Sequence, residues 1–454
     1  MSSEIGKEVL EKLHFVDQGH LRRNSSEDIQ HDEYLNNKQL ISSEIMHIVD
    51  EGYLNDNLSY HSNVLTEKVD TGKLRFRHYS KRFRRVPEVN CHALFKHDLR
   101  EIRRADRIPL LTIKIERYQK MTSDCENFKV ARGYITDYLT EEEKLFPLAY
   151  SILMYKDVEQ TERLLRAIYR PQNIYCIHVD AKTSNKIFAA MSRIVNCFDN
   201  VFMPSKRIPV FWGEMTVLEP EILCMEELWK RSKTWKYFIN LTGQEFPLKT
   251  NYELVKILKV YNGSNDVEAT RKRNRDRWAR APSPPHGIIP TKGAVHVAVS
   301  RGFVDYVLND KRAHDLLKWT KLTKIPDETF FPTLNHNPHL GVPGAYTGHP
   351  ETTPMKDLRK PYLARFKNRG RFIYNWECKG MRVRGMCVFG HGDLARLAKR
   401  RELFANKFYL TYQPFVFGCL EEMIFNRTRQ QYLGKRKFEA EWYKSLGFIS
   451  NKVK

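Results

Sequence analysis

The run FPLAYSILMY at 146–155, followed by EQTERLLRAIY at 159–169 and NIYCIHVD at 173–180, decides the fold class. The outer two are short and nearly all apolar, as strands buried on both faces are, while the middle one repeats its apolar residues at helical spacing. Together they predict a β-α-β unit. Working outward, VFM at 201–203, KYFINLTG at 236–243 and AVHVAVS at 294–300 read as further strands, with LEPEILCMEELWKRS at 218–232 as an intervening helix. The expected class is α/β, in which ligands bind at the carboxyl ends of the strands. Pro- and Gly-containing stretches at 281–293 and 338–350 mark long loops, and loops of that length are more often functional than decorative.

Around this unit, residues 1–80 show no clear period and predict a poorly structured, stem-like extension. Residues 81–145 read as an N-terminal subdomain packing on a catalytic domain at 146–435, and 436–454 as a basic C-terminal tail. With 454 residues, 41% of them hydrophobic, the chain is able to bury a large core, which excludes wholesale disorder and low-complexity classes. Its 76 Lys plus Arg exceed 54 Asp plus Glu by 22, so anionic partners are expected. Nucleic acid is not among them, because no paired Cys/His zinc spacing, ribonucleoprotein aromatic signature or basic region leading into heptads occurs. No stretch approaches the roughly 18–20 apolar residues of a membrane-spanning helix, and no signal peptide is visible. The eight cysteines form no CxxC pair, and composition alone leaves disulfides and buried thiols equally open. Sequons stand at Asn24, Asn57, Asn240, Asn262 and Asn426.

Several residues carry candidate chemistry. Asp180 ends a probable central strand, where it either meets a ligand or caps a helix starting near Thr183. Neither G-x-S-x-G nor G-x-x-x-x-G-K-[ST] occurs, which disfavours elbow hydrolases and P-loop enzymes. No Asp-x-Asp pair exists to clamp a metal against a diphosphate, so side-chain cations would have to take that place. The segment IPDETFF at 325–331 sets Asp327 and Glu328 side by side, in the first turn of a helix or, for one of them, in a cleft as general base. Downstream, RVRGMCVFGHGDL and LFANKF place Arg384 and Lys407 around a glycine-rich turn suited to an anion.

These motifs resemble those of the core-2 and I-branching β-1,6-N-acetylglucosaminyltransferases of glycosyltransferase family 14. MTSDC, FPLAYSI, LLRAIYRPQNIYCIHVDAK, WKYFINLTGQEFPLKTN, IPDE, RVRGMCVFGHGDL and LFANKF follow in family order between Cys91 and Cys419. The resemblance implies a variant GT-A fold, a mixed sheet flanked by helices and stabilised by disulfides. It also implies an inverting transfer from a UDP-sugar with no metal or other cofactor. By the matching motifs Glu328 is the expected base, Arg384 and Lys407 hold the diphosphate, and Leu153, Asp180 and Trp212 surround the nucleotide. Glu268 and Arg277 fall where the family binds the acceptor galactose. The family has aromatic residues where this chain has Arg369 and Arg371, with Phe372 and Trp376 as candidate replacements for that stacking surface. The cysteines fall on family disulfide positions, implying Cys91–Cys419, Cys125–Cys197, Cys176–Cys224 and Cys378–Cys387.

The expected function is transfer of N-acetylglucosamine from UDP-GlcNAc in β1-6 linkage onto a core 1 (Galβ1-3GalNAc) O-glycan of a glycoprotein. A related transferase using a glucose or xylose donor and a catalytically silent glycan- or polyanion-binding relative are the alternatives. The implied location is the Golgi lumen within the secretory pathway, with a family-type membrane anchor expected although none is visible in this chain.

Overall fold

From Leu148 to Ile152 every residue is buried, so this strand does not alternate between core and water. A strand like that belongs at the centre of a sheet covered on both faces. The computed structural model places it there. It describes residues 86–109, 112–270, 275–348, 362–370 and 376–454, so the stem-like extension expected over 1–80 lies outside the described residues. The strands are β1 (Leu148–Met154), β2 (Ile174–Val179), β3 (Val201–Phe202), β4 (Tyr237–Thr242), β5 (Glu245–Pro247), β6 (Asp266–Thr270), β7 (Lys292–Ser300), β8 (Arg365–Lys367), β9 (Met381–Val383), β10 (Met386–Val388) and β11 (Phe404–Asn406).

Six of them form the main sheet in the order β3-β2-β1-β4-β7-β6. β3, β2, β1 and β4 run parallel, with Ile152 opposite Ile177 on one side and Leu241 on the other. β7 is antiparallel to β4, and β6 to β7. Successive residues of each central strand enter opposite cores. Tyr150, Ile152, Tyr175, Ile177 and Ile239 join Leu164, Leu165 and Ile194 on one face. On the other, Ala149, Cys176 and Phe238 join Cys224, Leu228 and Phe303. The result is a mixed sheet between two helical layers, consistent with a GT-A-like fold.

The helices start where capping chemistry permits. Asp157 accepts from the Gln160 amide (2.9 Å) at the head of Val158–Ile168. Thr250 and Glu253 form a capping box for Asn251–Tyr261. Ser184, not Asp180, caps Asn185–Val195, which leaves the Asp180 carboxylate to other partners.

The four disulfides are Cys91–Cys419, Cys125–Cys197, Cys176–Cys224 and Cys378–Cys387. Cys176–Cys224 joins β2 to the helix Glu219–Arg231 on the second face. Cys91–Cys419 closes a loop across a sequence separation of 328, tying the first helix described to Phe415–Tyr432. Val86, Leu94, Tyr118 and Phe128 share the apolar cluster of Tyr150 and Ile152. At the other end of the chain, the segment read as a basic tail carries Tyr443, Leu446 and Phe448 into the same cluster. Phe448 meets Tyr261 edge-to-face at 4.9 Å.

A second sheet, β5-β11-β8, stands beside the first, and β9 and β10 form a hairpin. No helix among the described residues is long and apolar enough to cross a membrane. Of the sequons, Asn240 is closed to modification. It is buried in β4, donating to the Val295 carbonyl (2.9 Å) and accepting from the Val297 amide (2.8 Å). Asn262 and Asn426 are exposed, and Asn24 and Asn57 lie outside the described residues.

Candidate active site

From β1 the chain adds β2 and β3 on one side and then β4 on the other, and this switch in the order of strands opens a crevice at their carboxyl ends. Asp180 follows β2 at that lip, and its amide donates to the Met154 carbonyl of β1 (2.9 Å). Its buried carboxylate accepts from the Lys182 amide (2.8 Å) and the Val210 amide (3.4 Å) and pairs with Lys182 Nζ (2.9 Å). Lys182 Nζ also lies 4.6 Å from the centre of the Phe211 ring and 5.6 Å from that of Tyr155. Phe211, Tyr155 and Trp212 are exposed, Trp212 at 77%. Large aromatic faces left in water beside a fixed carboxylate suit a flat polar ring as ligand. Leu153 is half-buried in β1, between His178 and Thr242. Behind it the His178 Nε2 accepts from the Ile208 amide (2.9 Å), and burial holds the imidazole down at about 4, so it anchors the 205–211 loop as a neutral ring.

The two expected phosphate cations sit on separate segments. Lys407 follows β11, beside the exit of β4, since the Phe408 amide donates to the Gln244 carbonyl (2.8 Å). Its Nζ touches the Tyr409 hydroxyl (3.0 Å). Arg384 stands at the tip of the β9–β10 hairpin, where Val383 faces Met386. Both turn residues, Arg384 (φ 50°) and Gly385 (φ 76°), are left-handed, as a two-residue type I′ turn requires. Cys378–Cys387 fastens this hairpin, and the Phe389 amide donates to the Lys407 carbonyl (3.1 Å), so the two cationic segments are joined at their base. Arg384 is exposed and makes no ion pair among the described residues.

The third group is a carboxylate held by cations. Pro326–Glu328 forms a single 3-10 turn ahead of the helix Phe330–Asn335. Of the two adjacent acids, Asp327 is the buried one and Glu328 keeps 23% of its side chain accessible. Glu328 Oε2 receives Arg277 Nη2 at 2.8 Å and Lys292 Nζ at 3.4 Å. Burial alone would raise the Glu328 carboxyl. The charges of Lys292, Arg277 and Arg369 outweigh it and hold the group below its ordinary range, so Glu328 is an anion at neutral pH. Asp327 moves the opposite way, pushed up to about 6 by burial and by the Glu328 charge.

Arg277 and its neighbour Trp278 are each tied to residues flanking that turn. The Lys324 amide donates to the Arg277 carbonyl (3.0 Å), and Trp278 Nε1 donates to Thr329 Oγ1 (3.1 Å). Lys292 opens β7 opposite Thr270, and the next pair, Gly293 and Ala269, flanks an irregularity in β6 at Glu268. Glu268 pairs with Lys367 Nζ at the end of β8 (3.0 Å). The Ile325 amide donates to the Gly213 carbonyl (3.1 Å), which ties the Glu328 turn to the loop that carries Trp212.

The structure thus brings Leu153, Asp180 and Trp212 to one lip of the sheet, and Arg277 and Glu328 into direct contact at the antiparallel side. Trp376 is not a stacking surface for a ligand. It is buried against Phe366 (5.0 Å, near-parallel rings), and its Nε1 donates to Asp393 (3.0 Å), because an indole set in the core needs a partner for its N–H. Arg371 and Phe372 lie outside the described residues, while Arg369 is exposed. Reading the sequence missed Lys292 and Lys367. The one signal for Lys292 was a charged residue heading the otherwise apolar run KGAVHVAVS.

Comparison with known proteins shows the family of the chain. The model of the Core-2/I-Branching enzyme family matches residues 148–397. The chain is 35% identical over 369 residues to the Homo sapiens beta-1,3-galactosyl-O-glycosyl-glycoprotein beta-1,6-N-acetylglucosaminyltransferase, covering 74% of this chain and 85% of that protein. It is 37% identical over 340 residues to the Homo sapiens N-acetyllactosaminide beta-1,6-N-acetylglucosaminyl-transferase, with 70% and 82% covered. A Danio rerio protein, beta-1,3-galactosyl-O-glycosyl-glycoprotein beta-1,6-N-acetylglucosaminyltransferase 4, is 35% identical over 373 residues, with 76% and 86% covered. The molecule is a glycosyltransferase with a GT-A-like fold. Matched over more than half its length, the chain belongs to the Core-2/I-branching enzyme family.

Proposed function

We propose that the protein transfers N-acetylglucosamine from UDP-GlcNAc in β1-6 linkage onto a core 1 type O-glycan, with inversion at the sugar C1 and without a divalent metal. The observation that carries this reading is Glu328, an ionised carboxylate whose two cations share Oε2 and whose Oε1 has no hydrogen-bond partner among the described residues. In the proposed step Glu328 takes the proton of the acceptor's primary hydroxyl as its oxygen attacks C1 from the face opposite UDP. The C1–oxygen bond to UDP breaks, and its electron pair leaves with the diphosphate. Arg384 and Lys407 offset that charge, the work a metal does in other transferases, and the sequence offers no Asp-x-Asp pair to hold one. The exposed aromatics around Asp180 and Lys182 supply a face for the uracil, and Glu268 and Arg277 the contacts to the acceptor galactose.

Four disulfides support an oxidising compartment, and we assign the protein to the secretory pathway and the Golgi. The test is sugar transfer from UDP-GlcNAc to Galβ1-3GalNAc by the oxidised protein, with and without EDTA. Transfer that survives EDTA and yields a β1-6 product is the expected result. Activity abolished by EDTA and restored by a divalent ion overturns the metal-free mechanism. UDP binding without transfer from this donor moves the assignment to a glucose or xylose donor, or to a silent glycan-binding relative.

A further inference from the structure

Among the described residues, cations outnumber carboxylates around Glu328. Arg277 from the 3-10 turn Arg275–Arg277, Lys292 of β7, Lys367 of β8 and Arg369 just beyond it gather against the carboxylates of Glu328 and Glu268. Asp327, beside Glu328, is buried, and its Oδ1 has no hydrogen-bond partner among the described residues.

Three of the cations, Arg277, Lys292 and Lys367, are more than nine-tenths buried. Arg277 spends one nitrogen on Glu328, and its buried Nε and Nη1 have no hydrogen-bond partner among the described residues. Lys292 is held below its ordinary range by burial, with Arg369 and Arg277 adding repulsion to the pull of Glu328. Arg369 stands two residues beyond Lys367 where the chain leaves β8. It is exposed and makes no ion pair among the described residues.

Neutral sugar hydroxyls satisfy donors, but they do not offset like charges crowded out of water. A planar guanidinium left open at the mouth of such a cluster matches a carboxylate or sulfate, which it engages through two parallel hydrogen bonds. We propose that the acceptor of this enzyme carries an anionic oxygen group, a uronic acid carboxylate or a sulfate on the galactose-side sugar, and that Arg369 selects for it at the mouth of the Arg277–Lys292–Lys367 cluster. The proposal deepens the functional reading above and rests on its placing the acceptor beside Glu268 and Arg277.

The experiment uses the wild-type protein saturated with UDP, so that no sugar transfers during the measurement. Three glycans are titrated by calorimetry: Galβ1-3GalNAc, the same disaccharide sulfated on the galactose, and GlcAβ1-3GalNAc. At least one anionic glycan is expected to bind roughly 10- to 100-fold more tightly than the neutral one, the range of a hydrogen bond to a charged group. A sulfate-only or carboxylate-only gain identifies the source, and equal gains mean that charge alone is read. Arg369→Ala should erase the preference with UDP affinity unchanged, and Arg369→Lys should retain part of it.

Neutral and anionic glycans binding equally, or a preference untouched by Arg369→Ala, overturns the proposal. Turnover separates the two readings. Efficient transfer to the neutral disaccharide with no anionic preference leaves the proposed function standing and removes this inference. A strong anionic preference without any transfer from UDP-GlcNAc does the reverse, and no binding of any of the three glycans removes both.

Discussion

The two halves of the sheet build their sites by different means. At the carboxyl ends of β1, β2 and β4, Asp180 is held by local elements, a strand end, the amide two residues on and one loop anchored by His178. At the antiparallel side, Glu328, Arg277, Lys292, Glu268 and Lys367 come from four separate stretches of chain and meet as ion pairs. The first half is a common ligand position of parallel α/β sheets. The second is a charge cluster peculiar to the packing of β6, β7 and β8, and it holds Glu328, the proposed base. Binding of a nucleotide and activation of an acceptor are thus assigned to halves that respond to different perturbations.

The sharpest way to break this division is a set of three substitutions with opposite signatures. Glu328→Gln removes the base while keeping its shape, and kcat should fall by roughly 10²- to 10⁴-fold, with UDP affinity unchanged by calorimetry. Arg384→Ala and Lys407→Ala should instead weaken UDP by roughly 10- to 100-fold. If Glu328→Gln loses UDP as well, the two halves are one coupled site and the assignment of Glu328 as base fails.

Glycines extend the comparison to the backbone. A Cβ on Gly293 would sit 1.8 Å from the Glu268 carbonyl oxygen and 2.6 Å from Pro332 Cγ, so β6 and the helix after Glu328 would both have to yield. Gly293→Ala should cost about 2–3 kcal/mol in denaturant unfolding and depress acceptor kcat/KM. At the other half, a Cβ on Gly243 would meet side-chain rather than backbone atoms, the nearest being the Thr161 hydroxyl at 2.7 Å, which donates to the Asp157 carbonyl (3.0 Å). Gly243→Ala should cost less, about 1 kcal/mol. Equal losses would mean that the antiparallel side is no more tightly built than the parallel one.

The same contrast governs what could be read from the sequence. β1, β2, β4 and β7 were legible because buried strands are short apolar runs, and the helix Val158–Ile168 because its apolar residues repeat at 3.6. β5, β6 and β8 were not, since three to five residues with Glu245, Asp266, Glu268, Arg365 or Lys367 among them look like loop, and β11, three residues ending in Asn406, is too short to stand out. Glu245 and Arg365 are buried because charges distant in sequence neutralise each other there. Glu245 lies between His296 (2.9 Å) and Arg365 (3.0 Å), pairs separated by about fifty and more than a hundred positions. Glu328 and Arg277 were reached through the family resemblance. Lys292 and Lys367 had no local signal beyond a lysine at the edge of an apolar run. A basic composition likewise hid Tyr443, Leu446 and Phe448, which bury three separated side chains in a segment that otherwise reads as tail.

The smallest effect tests whether Asp327 and Glu328 divide their roles as their surroundings imply. The folded Asp327 titrates at about 6, above its ordinary 3.8, because burial and the adjacent Glu328 charge disfavour its ionised form. Below about pH 3.8 it is protonated folded or unfolded. Between 3.8 and 6 the folded chain holds a proton that the unfolded chain has released, so this contribution to stability falls as pH rises and is lost above 6. Asp327→Asn replaces the acid with a neutral group of the same shape. It should match the wild type near pH 4 and exceed it by on the order of 1 kcal/mol at pH 7.5 in urea unfolding, while transfer activity survives. A variant no more stable at pH 7.5 would mean that Asp327 is not held against its charge. One that is stable but inactive would move the base from Glu328 to its neighbour.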